Sequence, residues 1–303
     1  MRRLSIPDVR SCSATPPALG YLGMADRPNL LFIMSDDHAS HAISAYDSRI
    51  NRTPQLDRIA EGGMRMDTVF CTNSICTPSR AAILTGTYNH VNGVTTLATP
   101  MDNTMWTFPQ ALQRAGYRTA LFGKWHLGHG PRHDPTGFDE WRILPGQGHY
   151  HNPVFLEKGW DGAPPRIDER GGYVTDLITD DCLDFLDRWD GDRPFALFCH
   201  HKAPHRHWEP DARHARMYAD ESIPEPDTFR DDLAGKPDVV RAARMRMMDL
   251  NPWTDLKAFL RRASRRTRRS RGATSATSRT TCGRWPRSTT TSAGYSTGSI
   301  PTA

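Results

Sequence analysis

The stretch from residue 71 to residue 86 holds side chains whose types and spacing suit an anion site. The thiol of Cys76 is followed by Pro78 and Arg80, and then by a short apolar run that ends at Gly86. Proline favours the first turn of a helix and glycine its end, so Cys76 is predicted at a helix N-terminus. Free N–H groups and the helix dipole favour an oxyanion there, and Arg80 could bind the same anion. Taken alone, the pattern also fits a buried structural thiol beside a surface arginine.

Two adjacent carboxylates form a second candidate site. Asp36 and Asp37 directly follow the apolar run of residues 30–34, which predicts a buried parallel strand. Ligands of open α/β sheets bind at the carboxyl ends of such strands, and Ca²⁺ or Mg²⁺ would relieve the repulsion between the two carboxylates. A solvated loop is the alternative, because aspartate is common in turns.

Basic side chains follow two further predicted strands. Lys124 and His126 come after the strand predicted at residues 117–122, and on an extended segment they would point to the same side. An ammonium group can neutralise anion oxygens, and an imidazole can accept a proton near neutral pH. Four histidines lie between His200 and His207, but Pro204 and the irregular spacing argue against a zinc site.

The elements that position these residues alternate between strands and helices. Helices are predicted at 53–62, with Leu56 and Ile59 on its apolar face, from a first turn that contains Pro78 to the stop at Gly86, at 107–115 and at 174–189. Strands are predicted at 30–34, 65–70, 117–122 and 194–199, and residues 146–153 form a loop that could line a pocket. The pattern indicates an α/β fold, a largely parallel sheet with helices on both faces.

Three motifs together resemble those of the type I sulfatases, over residues 27–258. Cys-Thr-Pro-Ser-Arg at 76–80 resembles the family's modification signal, and Gly-Lys-Trp-His-Leu-Gly at 123–128 resembles its second signature. Lys-Ala-Pro-His at 202–205 resembles the segment that places a histidine beside the substrate. The resemblance implies the alkaline-phosphatase-like fold and hydrolysis of a sulfate ester or sulfamate on a sulfated small molecule or sugar.

The resemblance also implies a role for each matching residue. A formylglycine-generating enzyme would convert Cys76 to formylglycine, which is the nucleophile. Residue 76, Asp36 and Asp37 would together bind Ca²⁺, or alternatively Mg²⁺. Arg80 would steady the formylglycine, and Lys124 would bind the sulfate. His126 would assist sulfate release, His205 would assist the leaving group, and Lys202 is a further candidate substrate contact.

Charge and composition limit the other classes of function. The net charge is +5, but residues 259–303 contain ten arginines and no acidic residue, so the remaining chain has 29 basic and 34 acidic groups. This mildly acidic body argues against a nucleic-acid partner, although the basic tail keeps that alternative open. No apolar run is long enough for a membrane span, and residues 1–23 lack the apolar core of a secretory signal, which favours a cytoplasmic location.

The family's later metal-binding strand has no counterpart after His205. We therefore expect a truncated fold: a leader at 1–23, an incomplete N-terminal α/β domain at 24–258, and an Arg/Ser/Thr-rich tail at 259–303. The chain itself is expected to be weakly active or inactive. A phosphonate or phosphodiester hydrolase of the same superfamily and an inactive binding remnant are the alternatives.

The tail is predicted to be the product of a shifted reading frame. If each codon of residues 284–297 is read one base earlier, with G or C chosen at the free base where it helps, the text becomes Ala-Val-Ala-Ala-Val-Asp-Asp-Asp-Val-Gly-Arg-Leu-Leu-Asp. Its apolar residues recur at helical spacing, whereas the tail as printed is too polar to bury a core. This text resembles the sulfatase helix that precedes the missing strand.

Overall fold

The computed structural model describes residues 27–243 and 246–257. The predicted leader at 1–23 and tail at 259–303 lie outside the described residues. Within the described part of the chain, no helix is both long and apolar enough to cross a membrane.

The described residues form one six-stranded sheet. Its strands are β1 (Leu30–Met34), β2 (Arg118–Lys124), β3 (Glu140–Leu144), β4 (Val154–Glu157), β5 (Arg166–Glu169) and β6 (Phe195–His200). They lie in the order β1-β6-β2-β3-β4-β5. The strands β1, β6, β2 and β3 pair in parallel, whereas β4 pairs antiparallel with both β3 and β5. The prediction of a largely parallel sheet is confirmed.

The described α-helices are α1 (Pro54–Gly62), α2 (Cys76–Thr85), α3 (Asn89–Asn92), α4 (Phe108–Arg114), α5 (Val174–Asp187) and α6 (Asp238–Ala242). Of these, α2 and α4 pack on one face of the sheet and α5 packs on the other. On the first face, Ala81 and Leu84 of α2 share an apolar core with Phe198 of β6, and Phe108 of α4 contacts the Phe198 ring. On the second face, Ile178 and Phe185 of α5 pack against alternate residues of β2 and β6. The two faces thus have separate apolar cores.

Short-range sequence signals correctly predict where helices α2 and α4 begin. Helix α2 begins at Cys76, has Pro78 in its first turn and ends at Gly86, whose φ of 65° is the left-handed conformation that glycine adopts without strain. Helix α4 follows Thr107, whose backbone N–H donates to Oε1 of Gln110 at 3.1 Å, which is one half of a capping box. Both helix starts are therefore explained by neighbours within a few residues.

Two predictions were wrong. Strand β1 is parallel as predicted but not buried, because it lies at the sheet edge with Leu31 53% and Ile33 52% exposed. Residues 65–70 form no strand, and Phe70 is 87% exposed. The helix predicted at 53–62 is present as α1, but its apolar face is open, with Ile59 60% exposed. Burial of these side chains would require packing partners that the described residues do not supply.

Candidate active site

The carboxyl ends of three adjacent parallel strands bring together residues far apart in sequence. Asp36 follows β1, Lys124 ends β2 and His200 ends β6, the strand between them. The backbone N–H of Asp36 donates to the carbonyl of Ala203, which fixes the loop after β1 against the loop after β6. This is the edge at which open α/β sheets bind ligands.

A buried triad of charges lies at this edge. Oδ2 of Asp36 accepts from Nζ of Lys124 at 2.7 Å and from a guanidinium nitrogen of Arg80 at 3.0 Å. Arg80 also donates to the carbonyl of Lys124, and its other neighbour is Nδ1 of His200 at 3.4 Å. All three charged side chains are less than 8% exposed. The guanidinium of Arg80 is thus paired with Asp36, and its contact with a bound anion stays a prediction.

The pKa values in the triad reflect competition between burial and pairing. Burial acts to raise the pKa of Asp36, but the charges of Lys124 and Arg80 outweigh it, so that pKa lies below its ordinary value. Burial, together with the like charge of Arg80, lowers the pKa of Lys124 more than Asp36 raises it. The triad has one negative and two positive groups, and therefore presents an excess positive charge.

Cys76 lies next to this charge at the first residue of α2 and is half-buried with a free thiol. It is close enough to interact electrostatically with both Arg80 and Lys124. The hydroxyl of its neighbour Thr77 lies 3.1 Å from the carbonyl of His126, which ties the helix start to the segment after β2. The structure thus brings Cys76, Lys124 and His126 to one place, as predicted.

The reason for the proximity of His126 differs from the expected one. Its φ of 56° is left-handed, so the chain leaves the extended conformation after β2 and the alternation assumed for Lys124 and His126 does not hold. The imidazole Nδ1 lies 3.4 Å from the hydroxyl of Thr77. Burial, followed by the charges of Lys124 and Arg80, lowers the pKa of His126 to about 4, so its imidazole is neutral at pH 7.

Lys202 and His205 follow β6 and face the loop that contains Tyr150. The Lys202 ammonium is buried and lies 4.8 Å from the centre of the Tyr150 ring, and burial lowers its pKa to about 8. The hydroxyl of Tyr150 donates to the carbonyl of His205 at 2.6 Å. Nδ1 of His205 contacts the carbonyl of Arg206, which can only accept, so Nε2 is left as the functional nitrogen.

A cavity of about 510 Å³ is lined by Tyr150, Lys202 and His205, whereas Cys76 and Lys124 are not among its lining residues. Lys202 and His205 line one side, and His149 and Glu209 lie among the other lining residues. Gln147 also lines it and accepts a hydrogen bond from Nζ of Lys124. The loop at 146–153 therefore lines a pocket, and the cavity has the size of a small-molecule site.

Sequence reasoning missed two contributors to this site. His200 is 2% exposed, and its Nε2 has no hydrogen-bond partner among the described residues. Tyr150 positions both His205 and Lys202. His200 was visible as the last residue of an apolar strand, where a polar side chain is unusual, but no local signal marked Tyr150.

The described residues do not form a complete calcium site. Asp37 is exposed and could contribute an oxygen, but the Asp36 carboxylate is already bound by two cations. Among residues 27–243 and 246–257, no group of three or more His, Cys, Asp or Glu side chains is placed to hold a metal. Ca²⁺ takes six to eight oxygens, so two carboxylates are too few.

Comparison with known proteins identifies the fold and the family. Residues 28–273 match the sulfatase family. The chain is 43% identical to the N-acetylglucosamine-6-O-sulfatase of Bacteroides thetaiotaomicron over 243 residues, which are 78% of this chain and 41% of that protein. It is 32% identical to the human N-acetylgalactosamine-6-sulfatase, over 66% of this chain and 42% of that protein.

A solved structure gives the same result. The chain resembles a protein in complex with its substrate D-glucosamine-2-N,6-O-disulfate, with a TM-score of 0.71 and 38% identity over 84% of this chain and 52% of that one. The chain thus spans about half the length of these relatives. From the matched residues and the shared fold, this chain belongs to the sulfatase family.

Proposed function

We propose that this chain is the N-terminal portion of a sulfatase that hydrolyses the 6-O-sulfate ester of an amino sugar. The observation that carries the proposal is the position of Cys76, at a helix start beside the excess positive charge of the Asp36, Lys124 and Arg80 triad. Two relatives are named as 6-sulfatases of N-acetylhexosamines, and the protein in the solved structure binds a glucosamine with a 6-O-sulfate. These names support the sugar class.

In this proposal, Lys124 and Lys202 bind the sulfate oxygens and orient sulfur towards residue 76. Both ammonium groups are buried, so solvent screens their attraction to the bound sulfate only a little. Water is consumed, the bond between sulfur and the sugar oxygen breaks, and hydrogen sulfate and the free sugar hydroxyl are the products. The sugar oxygen takes up a proton as it leaves.

His205 supplies that proton from Nε2, because its Nδ1 already faces a carbonyl. Burial and the charge of Lys124 lower its pKa, so the protonated form has to be favoured by the negative charge of the bound sulfate. His126, neutral at pH 7, accepts a proton during sulfate release. The two imidazoles therefore serve as acid and base.

Formylglycine, formed from Cys76 by a formylglycine-generating enzyme, would supply the nucleophile as its hydrated aldehyde. Asp36 and Asp37 could contribute oxygens to a calcium site, but the described residues do not complete one. For this reason we propose that the chain as printed turns over sulfate esters weakly or not at all. It would still bind the sulfated sugar through the groups that it retains.

Calorimetry can test this proposal on the chain as printed. N-acetylglucosamine-6-sulfate is expected to bind at least about tenfold more tightly than N-acetylglucosamine, because one buried charge-assisted contact is worth about 1.5–3 kcal/mol. Lys202→Gln should remove most of this difference, whereas the matched variant Lys236→Gln, at an exposed lysine, should not. Equal affinity for the two sugars would refute the sulfate site.

The same calorimetric experiment distinguishes a sulfatase from the main alternative function. A phosphonate or phosphodiester hydrolase of the superfamily would prefer the 6-phosphonate analogue, whose charge and shape differ from those of the monoanionic sulfate. An inactive binding remnant would bind the sulfated sugar, but the same protein completed with the missing half would show no turnover.

A further inference from the structure

Two cysteines that the proposed reaction does not use lie together under helix α5. Cys182 of α5 and Cys199 of β6 are free thiols, 6% and 5% exposed, in the same apolar core on the second face of the sheet. A single buried thiol often serves only as a small apolar side chain. Two thiols from different elements can also react with each other, provided that the fold brings their sulfur atoms together.

Contacts on either side of Cys182 show where α5 crosses the sheet. One turn before it, Cδ1 of Ile178 lies 3.1 Å from the position that a Cβ of Gly123 would occupy, and Gly123 pairs with the last residue of β6. One turn after it, the ring of Phe185 lies 6.0 Å from the ring of Phe195 at the start of β6. Residues three or four apart share one face of a helix, so Cys182 faces β6 between its two ends.

The residues that β6 presents to α5 between these ends are Leu197 and Cys199, because alternate residues of a strand face the same side. The thiols of Cys182 and Cys199 are hydrogen-bonded to each other. Sγ of Cys199 also lies 3.3 Å from Nε2 of His201. The hydrogen bond from Cys182, assisted by His201, outweighs burial and lowers the pKa of Cys199, whereas the same bond and burial raise the pKa of Cys182. Since the thiolate is the nucleophile in sulfur chemistry, Cys199 is the more reactive of the two.

Cys199 lies at the border of its core, on the side of β1. Its partner in β1, Ile33, is 52% exposed, whereas its partner in β2, Phe122, is 4% exposed. A small oxidant such as hydrogen peroxide therefore has a short path to this sulfur from the β1 side. A bulky disulfide would have to displace α5 to reach it.

We propose that Cys182 and Cys199 form a redox-active dithiol, which hydrogen peroxide converts to a disulfide between α5 and β6. In the first step the Cys199 thiolate attacks peroxide, so an S–O bond forms, the O–O bond breaks, and the leaving hydroxide takes up the proton that Cys199 gave up. The sulfur of Cys182 then attacks that of Cys199, so the S–S bond forms, the S–O bond breaks, and hydroxide leaves as water with the proton of Cys182. The two thiols lose two electrons, which reduce peroxide to two water molecules.

The disulfide would tie α5 to the end of β6 at which the candidate active site begins. His200 follows Cys199 directly, and Lys202 lies in the loop after the strand. The start of α5 adjoins the same site, because the backbone N–H of Val174 donates to the carbonyl of Tyr150. The inference does not rest on the sulfatase proposal, since it needs only the two thiols and the packing of α5 on β6.

Peptide mapping of the full chain tests the proposal. The chain is treated with hydrogen peroxide under native conditions, its remaining thiols are blocked with N-ethylmaleimide in denaturant, and it is digested with trypsin without reduction. The tryptic peptides 171–188 and 189–202 each contain one cysteine. We expect the two peptides to be joined, with a mass two hydrogens below their sum, and to separate on reduction with dithiothreitol. The same treatment in urea should instead distribute the links among all six cysteines of the chain.

Three variants assign the roles of the two thiols. Cys182→Ala leaves Cys199 without a thiol to resolve it, so peroxide should leave a sulfenic acid on peptide 189–202, which dimedone traps. Cys199→Ala should leave Cys182 as an unmodified thiol, because the pKa of Cys182 is raised. Cys71→Ala, at an exposed thiol, is the control and should leave the link unchanged.

Circular dichroism checks that each variant folds, and the mapping of the unaltered chain decides the matter if one does not. Absence of a link between peptides 171–188 and 189–202 in the native chain would overturn the proposal. So would a Cys182 linked mainly to another cysteine, or a dimedone adduct on Cys182 in place of Cys199.

Discussion

Replacement of Asp36 by asparagine should destabilise the fold far more than replacement of its partner Lys124 by methionine. The carboxylate of Asp36 is 7% exposed and is the single negative group between two buried cations, at 2.7 and 3.0 Å. Without it, Arg80 and Lys124 remain buried with like charges. Removal of one partner from a buried ion pair costs about 3–5 kcal/mol, and we expect this cost for Asp36→Asn.

Lys124→Met should cost about 1 kcal/mol or less. Burial lowers the pKa of Lys124 despite Asp36, which means that the charged form is disfavoured in the fold. Methionine retains an apolar stem in a site that is 0% exposed, and it leaves a balanced pair of Asp36 and Arg80. The lost hydrogen bond to Gln147 accounts for the remaining cost.

Urea unfolding followed by circular dichroism at pH 7 measures both effects, as the change in the free energy of unfolding at constant m-value. The exposed aspartate Asp238, replaced by asparagine, is the matched control and should change the free energy by about 0.5 kcal/mol or less. If Lys124→Met proves as damaging as Asp36→Asn, the description of the triad as one anion shared by two cations is wrong.

Three further predictions concern metal, pH and the gene. Calorimetry should detect only weak Ca²⁺ binding by the chain as printed, because two carboxylates are too few, and submicromolar affinity together with turnover of an aryl sulfate would contradict this. The free energy of unfolding should fall as the pH is lowered from 6.5 to about 4, because in this range His126 binds a proton in the unfolded state but not in the folded state. His126→Gln should flatten that slope. An unchanged slope in this variant would show that His126 is not buried as described. Resequencing from the codon of Leu256 to that of Gly272 should reveal one inserted or deleted base, and an intact frame there, with a genuine stop after Ala303 and no sulfatase-like text in either alternative frame, would refute the frame shift.

The parts of the fold that depend on nearby residues could be predicted from the sequence. Pro78 and Gly86 fixed the limits of α2, and with them the place of Cys76. The apolar period of α5 predicted its buried stripe, of which Ile178, Cys182 and Phe185 are buried. Such signals act within a few residues, so they predict an element correctly without information about its distant packing partners.

The parts that depend on distant partners could not be predicted in the same way. The burial of β1 and a strand at residues 65–70 both require neighbours that the described residues lack. Arg80 is one turn from Cys76, but its partner Asp36 lies 44 positions away in sequence, so no local pattern could show that the two form an ion pair. His126 reaches the site through a left-handed backbone conformation, which an extended pattern does not reveal.

Cys76 is the proposed precursor of the nucleophile, and mass spectrometry of the peptide that contains it tests this role most directly. After coexpression with a formylglycine-generating enzyme, the thiol of Cys76 should be replaced by an aldehyde, while Cys71, an exposed thiol upstream, stays unmodified as the internal control. Pro78→Ala and Arg80→Ala, which alter the signal that follows Cys76, should reduce the conversion. An unmodified thiol at Cys76, or equal modification of both cysteines, would contradict the account.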